Sequence, residues 1–341
     1  MDIRSITMGP KKKSPNNDRK NVSAKMRLDW YRQMYRIRAF EEQIPFLDKA
    51  KLLQGTAHLY IGMEAIAVGA CAVMQEKDKL TSTHRGHGHC SARGLDIKRM
   101  MAEIMGRSSG YCRGKGGSMH ITDISRGMLG ADGIVGGGIP IAVGAALGAR
   151  LKGVDSVVFS FFGDGASNQG SFHEALNFAG VFQLPVVFIC ENNLWALSAP
   201  FAESTAGQSV FRRAAAYGMK GELVDGNDVE AVFEAVSRVA KSARQGDGPS
   251  LLECQSYRWH PHSVFTQNEI RPAKEIEEWK QRDPIERYRA RLLKSKAVTA
   301  ETLGQIKAEV AAEIDAAVQH AKQSPAPDRE SAFEDVYALE S

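Results

Sequence analysis

The sequence has 341 residues, of which 43% are hydrophobic and 25% are charged, and its formal net charge is +4. This length and composition are those of a soluble globular protein that buries a large core without disulfides. The small net charge argues against nucleic acid as a partner, and no apolar stretch is long enough to predict a membrane span or a signal peptide. Five cysteines without a C-x-x-C pair predict reduced thiols in the cytoplasm and no zinc ribbon.

Residues 1–22 are predicted to form a disordered basic tail, because Lys11, Lys12 and Lys13 lie among proline, asparagine and serine. An arm that docks on a partner subunit is the alternative interpretation. Residues 23–325 are expected to form a single α/β domain that ends in helices. Residues 326–341 are then expected to be a loose C-terminal tail.

The first predicted element is an amphipathic helix over residues 24–51, where apolar residues such as Trp30 and Ile37 recur at helical spacing. Glycine becomes frequent over 106–148, which predicts loops that lead into a helix of small residues at 139–151. A helix of that composition can approach a neighbouring element closely. Tight packing against a sheet is therefore its expected role.

The clearest pattern is a βαβ unit. Residues 156–162 form a continuous apolar run, as in strands that are buried on both faces of a parallel sheet. The turn Gly163-Asp164-Gly165 follows, a helix is expected at 171–182, and the next strand at 186–190 ends in Glu191-Asn192-Asn193. These elements predict an α/β protein with a doubly wound, mostly parallel sheet and helices on both faces. Later elements are a helix at 229–244, a β-rich stretch at 250–259 and helical sequence from 272 to 322.

Polar residues follow both strands of this unit. Asp164 follows the first and Asn193 follows the second, so both are expected at the edge where doubly wound sheets bind ligands. Gly163 and Gly165 allow a phosphate to approach the backbone N–H groups at a helix N-terminus. Mg²⁺ prefers a few protein oxygens and keeps phosphates and water as its other ligands. The pattern therefore predicts a magnesium diphosphate site, and a capped strand-end turn is the plainer alternative.

A dinucleotide site is the competing interpretation for the ligand. Gly136-Gly137-Gly138 has the glycine content of a dinucleotide fingerprint. It does not follow a predicted strand, however, and no acidic residue closes a next strand about 20 residues later. The sequence therefore favours the magnesium diphosphate site.

Several long motifs resemble those of one enzyme family. G-D-G-A-S-N-Q-G at Gly163, followed by E-N-N at Glu191, is similar to the thiamine diphosphate motif of the alpha subunits of pyruvate, branched-chain 2-oxo acid and acetoin dehydrogenases. The resemblance covers residues 27–288, and the acetoin branch is the most similar. The other matching segments are I-R-A-F-E-E at Ile37, H-L-Y-I-G-M-E-A at His58, T-H-R-G-H-G-H at Thr83, G-R-S-S-G-Y-C-R-G-K-G-G-S-M-H at Gly106, G-A-D-G-I-V-G-G-G at Gly130, Y-R-W-H-P-H-S at Tyr257 and R-D-P-I at Arg282.

The resemblance implies a thiamin-diphosphate-binding fold with thiamine diphosphate and Mg²⁺ as cofactors. Asp164, Asn193 and the backbone carbonyl of Trp195 match the metal ligands. Tyrosine is usual in place of Trp195, and the change is expected to be harmless because only the carbonyl binds. The remaining positions that match cofactor contacts are Gly165 and Ala166 at the diphosphate backbone, His84 and Arg85 as side chains that hold the diphosphate, Gly133 and Val135 at the aminopyrimidine, and His262 beside the reactive carbon.

Histidines are expected to supply the proton chemistry. Carbonyl addition and cleavage need acids and bases that work near neutral pH, a role that suits imidazole. By resemblance, His262 is expected to be catalytic beside the cofactor and His58 on the substrate side. One alternative is a zinc site, although no standard ligand pattern accompanies the histidines. The other is ordinary packing or surface positions, which we prefer for His89, His173 and His320.

Two loops depart from the family pattern. Pro261 stands between two histidines where glycine is common, and proline is expected to stiffen that loop. Leu194, Ala196 and Leu197 replace glycine and polar residues after the predicted ligand Asn193. These changes leave the substrate, and any phosphorylation of Ser263, open.

The resemblance also implies partners. An alpha subunit of this family needs a beta subunit, in a heterotetramer of two alpha and two beta chains, and passes an acyl group to a lipoyl acyltransferase. The expected small-molecule acyl donor is acetoin, cleaved at a C–C bond, or a 2-oxo acid, which is decarboxylated. Pyruvate, branched-chain 2-oxo acids and a specialised donor remain alternatives. A free-standing transketolase-type enzyme would need a longer chain, and a non-enzymatic relative would have no need of the metal and phosphate groups.

Overall fold

The computed structural model describes residues 22–266, 268–295, 298–334 and 336. The predicted basic tail, apart from Val22, lies outside the described residues. At the other end, residues 329–333 form a 3-10 turn and Arg113 makes an ion pair with Glu334 at 2.8 Å. The division of the chain into a domain and two tails stays a prediction. No helix in these ranges is both long and apolar enough to cross a bilayer.

Most strands of the described chain belong to one parallel sheet. In chain order its strands are β1 (Lys79–Thr81), β2 (Met128–Gly130), β3 (Val158–Gly163), β4 (Val186–Asn192), β7 (Lys220–Asp225) and β8 (Ser250–Gln255), while β5 (Trp195–Ala196) and β6 (Ala199–Pro200) form a separate antiparallel hairpin. The spatial order is β2-β1-β3-β4-β8-β7, and every neighbouring pair is parallel. The predicted α/β fold is confirmed, and the strands that precede Asp164 and Asn193 are neighbours.

Helices surround this sheet. They are α1 (Ala24–Lys49), α2 (Glu64–Cys71), α3 (His87–Ala92), α4 (Ile97–Ile104), α5 (Gly138–Leu151), α6 (Gly170–Val181), α7 (Phe201–Ser204), α8 (Val229–Arg244), α9 (Ala273–Lys280), α10 (Pro284–Lys294) and α11 (Ala300–Gln323). The helical sequence predicted from residue 272 to 322 is divided into α9, α10 and α11. Asp283 caps α10 by accepting the N–H of Ile285, and Pro284 occupies the first turn, where its missing N–H costs nothing.

Alternating side chains of the buried strands form two apolar layers. On β3, Phe159 and Phe161 pack into the layer with α2 and α8, while Phe162 packs into the layer with α5 and α6. The predicted close packing of α5 is only partly correct. Its alanines face the sheet, but Gly144 and Gly148 face open space.

A glycine-rich segment winds around one buried carboxylate between α4 and β2. The side chain of Glu103 is fully buried. Its Oε2 accepts the backbone N–H groups of Cys112 and Gly114 at 2.8 and 2.9 Å, and its Oε1 accepts those of Gly116 and Gly117 at 2.8 and 3.0 Å. The conformation of this segment is therefore set by contacts to the backbone rather than by an apolar core.

The connections of the sheet fix where a ligand can bind. From β1 the chain passes to β2 on one side, whereas from β3 it passes to β4 on the other side. The carboxyl ends of β1 and β3 therefore flank a topological switch point, the place where open α/β sheets bind ligands.

Candidate active site

A cavity of ≈ 330 Å³ opens at this switch point, beyond the ends of β1, β3 and β4. It is lined by all but two of the site residues that were predicted from the sequence. Of the two exceptions, Gly133 lies against His120, and the His58 ring packs edge-on against those of two lining histidines. The predicted residues that line the cavity are His84, Arg85, Val135, Asp164, Gly165, Ala166, Asn193, Trp195 and His262.

Asp164 follows β3 directly and is only 2% exposed. Its Oδ2 has no hydrogen-bond partner among the described residues. Burial raises the pKa of the Asp164 carboxyl to about 6, against the opposing effects of backbone hydrogen bonds and of Arg258 and Arg85. A buried carboxylate oxygen without a partner needs a cation or a proton. The carboxyl therefore fits the role of a metal ligand.

The other two predicted ligands lie at the entrance to the hairpin β5–β6, with Asn193 just before it and Trp195 at its first position. Asn193 is buried, and its Oδ1 accepts the N–H of Trp195 at 3.3 Å, which leaves a second lone pair on that oxygen. The hairpin also packs on the turn after β3. A Cβ at Gly165 would lie 2.8 Å from the Cβ of Ala196, so glycine is needed there for packing as well as for phosphate approach.

Two buried arginines lie at or near this site, and of the two Arg85 lines the cavity. Arg85 donates to the carbonyls of Leu59 and His262, each at 2.9 Å. Arg258 donates to the carbonyls of Leu197 at 2.7 Å and His260 at 3.1 Å. Neither guanidinium has a carboxylate within ion-pair distance in the described part of the chain. Burial and mutual repulsion lower the pKa of Arg85 to about 9. Buried guanidinium groups without a directly paired carboxylate favour an anionic ligand such as a diphosphate.

Three histidines form a compact cluster beside Arg85. The ring centroids of His58 lie 4.7 Å from His84 and 4.8 Å from His262, and those of His84 and His262 lie 5.5 Å apart. Burial, and then the charge of Arg85, lower the pKa of His58 to about 3 and of His262 to about 4. The imidazoles are therefore neutral at pH 7 and can accept a proton or donate an N–H hydrogen bond.

The loop around Pro261 separates its two histidines. His262 lines the main cavity, whereas His260 lines a smaller cavity of ≈ 170 Å³ on the other side of the loop. Arg271 holds the loop by donating to the carbonyls of Arg258 and His260. The proline therefore leaves His262 facing the cavity.

Comparison with known proteins identifies the family. The model of the family described as "Dehydrogenase E1 component" matches residues 32–330. The chain belongs to this family. Two similar E1 relatives are acetoin:2,6-dichlorophenolindophenol oxidoreductase subunits alpha. The protein from Bacillus subtilis is 46% identical over 308 residues, covering 90% of this chain and 92% of the relative. The protein from Cupriavidus necator is 46% identical over 311 residues, covering 91% and 93%.

Pyruvate dehydrogenase E1 alpha subunits are also similar. The testis-specific mitochondrial form from Homo sapiens is 39% identical over 316 residues, covering 92% of this chain and 80% of the relative. These findings confirm the sequence-based prediction of an alpha subunit of a thiamine diphosphate-dependent dehydrogenase.

Sequence reasoning missed two features of this E1 site. One is Arg258, which lies within the motif Y-R-W-H-P-H-S but carried no predicted role. The other is Glu191, which lines the cavity two residues before Asn193. The Glu191 carboxylate accepts the Tyr60 hydroxyl and lies 3.2 Å from Nε2 of His89. His89 is buried, as a packing residue would be, but it also joins this polar network.

Proposed function

We propose that this E1 alpha chain binds thiamine diphosphate together with Mg²⁺ in the cavity at the switch point. The supporting observation is that two buried groups of opposite charge line this cavity and that each lacks a partner of the other charge. Asp164 has a carboxylate oxygen without a partner, and Arg85 has a guanidinium without a carboxylate. A metal diphosphate satisfies both groups at once, whereas an uncharged ligand satisfies neither.

Calorimetry tests this proposal directly. Thiamine diphosphate is titrated into the complex of this chain with a beta subunit, with Mg²⁺ and, separately, with a chelator. We expect saturable binding that requires the metal. Equal binding in the chelator, or no binding in either, contradicts the proposal.

Residues of the chain are assigned to cofactor binding and to proton transfer. Bound thiamine diphosphate supplies a nucleophilic carbon and an electron sink, chemistry that no side chain provides. Arg85 and the backbone N–H groups after β3 hold the anionic end. The neutral imidazole of His262 lines the cavity, where it can donate a hydrogen bond to a substrate oxygen and accept its proton, and the His58 ring packs against it with the centroids 4.8 Å apart. Met63, which is buried, forms part of the apolar wall of the cavity.

We further propose that the preferred donor is acetoin rather than a 2-oxo acid. Two relatives named as acetoin oxidoreductase subunits reach 46% identity, compared with 39% for the human pyruvate dehydrogenase subunit. The reconstituted enzyme is assayed with acetoin, pyruvate and a branched-chain 2-oxo acid, with 2,6-dichlorophenolindophenol as the electron acceptor. Acetoin is expected to give the highest kcat/KM, and a higher value for pyruvate overturns the assignment.

A beta subunit completes the site in this proposal, as the alpha-subunit names of the relatives support. Ile134 and Val135 are large apolar residues at the cavity, and 73% and 49% of their surfaces are exposed. Exposed apolar groups at a ligand site are expected to be covered by a partner. We propose a heterotetramer of two alpha and two beta chains that passes its acyl group to a lipoyl acyltransferase. The free cysteines support a reducing cytoplasm as its location.

A further inference from the structure

The hairpin after Asn193 has an unusual backbone. Leu194 has a φ of +69° and Leu197 has a φ of +54°, both in the left-handed region. Side chains other than glycine disfavour that region by roughly 1–2 kcal/mol per residue. The family pattern has glycine and polar residues here, which adopt the conformation more easily. In this chain, external contacts must therefore help to hold the hairpin.

One such contact comes from helix α9. The indole Nε1 of Trp195 donates to Oε1 of Glu275 at 3.1 Å, and both residues are half-buried. Trp195 therefore binds Glu275 through its side chain, while its backbone carbonyl is a proposed metal ligand.

A second contact comes from Arg258. Arg258 Nη2 donates to the carbonyl of Leu197 at 2.7 Å, and Nη1 donates to the carbonyl of His260 at 3.1 Å. Arg258 and Glu275 lie on either side of the loop that carries His262. The hairpin is therefore hydrogen-bonded to both flanks of the histidine loop.

We propose that Trp195 and Glu275 are positioning residues. Their hydrogen bond holds the strained hairpin so that Asn193 and the Trp195 carbonyl face Asp164 before any metal binds. It also fixes the distance between the hairpin and the histidine loop. The effect on Mg²⁺ rests on the proposed function, whereas the effect on the hairpin does not.

The first test measures hydrogen exchange of the backbone amides in residues 193–201, without cofactor. Glu275→Ala removes the acceptor and is expected to raise exchange there by roughly 2- to 10-fold, the range for loss of one hydrogen bond. Glu275→Gln keeps an acceptor oxygen and is expected to restore nearly wild-type exchange. The matched control is Glu277→Ala, because Glu277 is an exposed neighbour on α9 that pairs with Lys280. Exchange in β3 and β8 should stay unchanged in all three variants.

The second test removes the donor. Trp195→Phe keeps the backbone carbonyl and an aromatic ring but lacks the indole N–H. It should raise exchange as Glu275→Ala does, and the double variant should be no worse than either single variant. Unchanged exchange in both single variants, additive effects in the double variant, or an equal effect of Glu277→Ala overturns the proposal.

The third measurement is the Mg²⁺ affinity in the presence of thiamine diphosphate, by calorimetry. Trp195→Phe and Glu275→Ala should weaken it roughly 2- to 10-fold, and Glu275→Gln should not. Full affinity in the first two variants contradicts the role in metal binding. If wild-type protein binds no metal diphosphate, the proposed function fails, and the exchange measurements still decide whether the hydrogen bond holds the hairpin.

Discussion

Asp164 is the residue whose replacement should affect the proposed cofactor most directly. It is the one carboxylate among the proposed metal ligands, so Asp164→Ala removes the anionic ligand that holds the metal, and without the metal the diphosphate charge is left uncompensated. We expect Mg²⁺-dependent binding of thiamine diphosphate to be lost. Asp164→Asn keeps one oxygen and should retain weak binding. Asp155→Ala, at an exposed carboxylate paired with Lys77, serves as the control in the same calorimetric titration. Wild-type affinity in Asp164→Ala contradicts the metal assignment.

The two histidines around Pro261 should respond differently to replacement. His262 lines the cavity and His260 lines the smaller one behind the loop. His262→Ala is expected to lower kcat by about 10²–10⁴, the usual contribution of general acid–base catalysis, with nearly unchanged cofactor affinity. His260→Ala should be milder. Steady-state rates of both variants in the complete enzyme check this, and an unaffected His262→Ala enzyme removes His262 from the mechanism.

Protonation of the histidine cluster should make the cofactor-free protein sensitive to acid. The pKa of His58 is about 3 in the folded chain and near its ordinary value of 6.5 in the unfolded chain. Below pH 6.5 the unfolded chain therefore binds a proton that the folded chain does not, and stability falls with falling pH. His58→Asn should reduce this loss by on the order of 1 kcal/mol per pH unit. Urea unfolding at pH 7, 6 and 5 measures the slopes. Asp164, whose raised pKa acts in the opposite direction, is common to both proteins, so equal slopes contradict the prediction.

The predictable site residues are those tied to strand ends. Asp164 and Asn193 could be placed together because consecutive parallel strands that form one crossover end at the same edge of a sheet. Arg258 and Glu191 could not, because arginine and glutamate near strand ends are usually exposed. Their burial results from tertiary packing of loops that are distant in the sequence, which no local pattern records.

At the scale of elements, the left-handed residues of the β5–β6 hairpin allow a test of backbone strain. Leu197 is 58% exposed, so its replacement loses little apolar burial. Leu197→Gly relieves the left-handed strain and is expected to leave the free energy of unfolding unchanged or to raise it by up to about 1 kcal/mol. Leu151→Gly, at an exposed leucine in the last turn of α5, should lower it by up to about 1 kcal/mol. Chemical denaturation compares the two, and a larger loss for Leu197→Gly contradicts the strain argument.

The pattern of apolar residues predicted the buried strands β3 and β4 and the helix α8, but it did not predict the strands β1, β2 and β7. The runs at β3 and β4 and the helical spacing of α8 are visible in the sequence because burial requires them. Strand β7 lies at the edge of the sheet and is largely exposed, so its residues show no apolar run. Strands β1 and β2 have three residues each, too few for any periodicity to appear.

At the scale of the whole molecule, the chain should be inactive without its partner. The described cavity leaves Ile134 and Val135 exposed, and the proposed beta subunit would cover them. We expect no turnover by the purified alpha chain and full activity after a matching beta chain is added, with a mass that corresponds to two copies of each. Light scattering coupled to size exclusion gives the stoichiometry. Robust turnover by the alpha chain alone, or another stoichiometry in the active complex, contradicts the prediction.

The hydrogen bonds between Glu103 and the glycine-rich segment at 112–117 affect which positions of that segment can differ among relatives. The partners of Glu103 are four backbone N–H groups, which are present whatever the side chains at those positions. Substitutions in this segment can therefore change its exposed side chains without changing the path of its backbone. Gly114 and Gly117 are exceptions, since their φ values of +77° and +63° favour glycine. Variation should thus be free at position 112 and nearly absent at position 103, which lies nine residues earlier in the sequence.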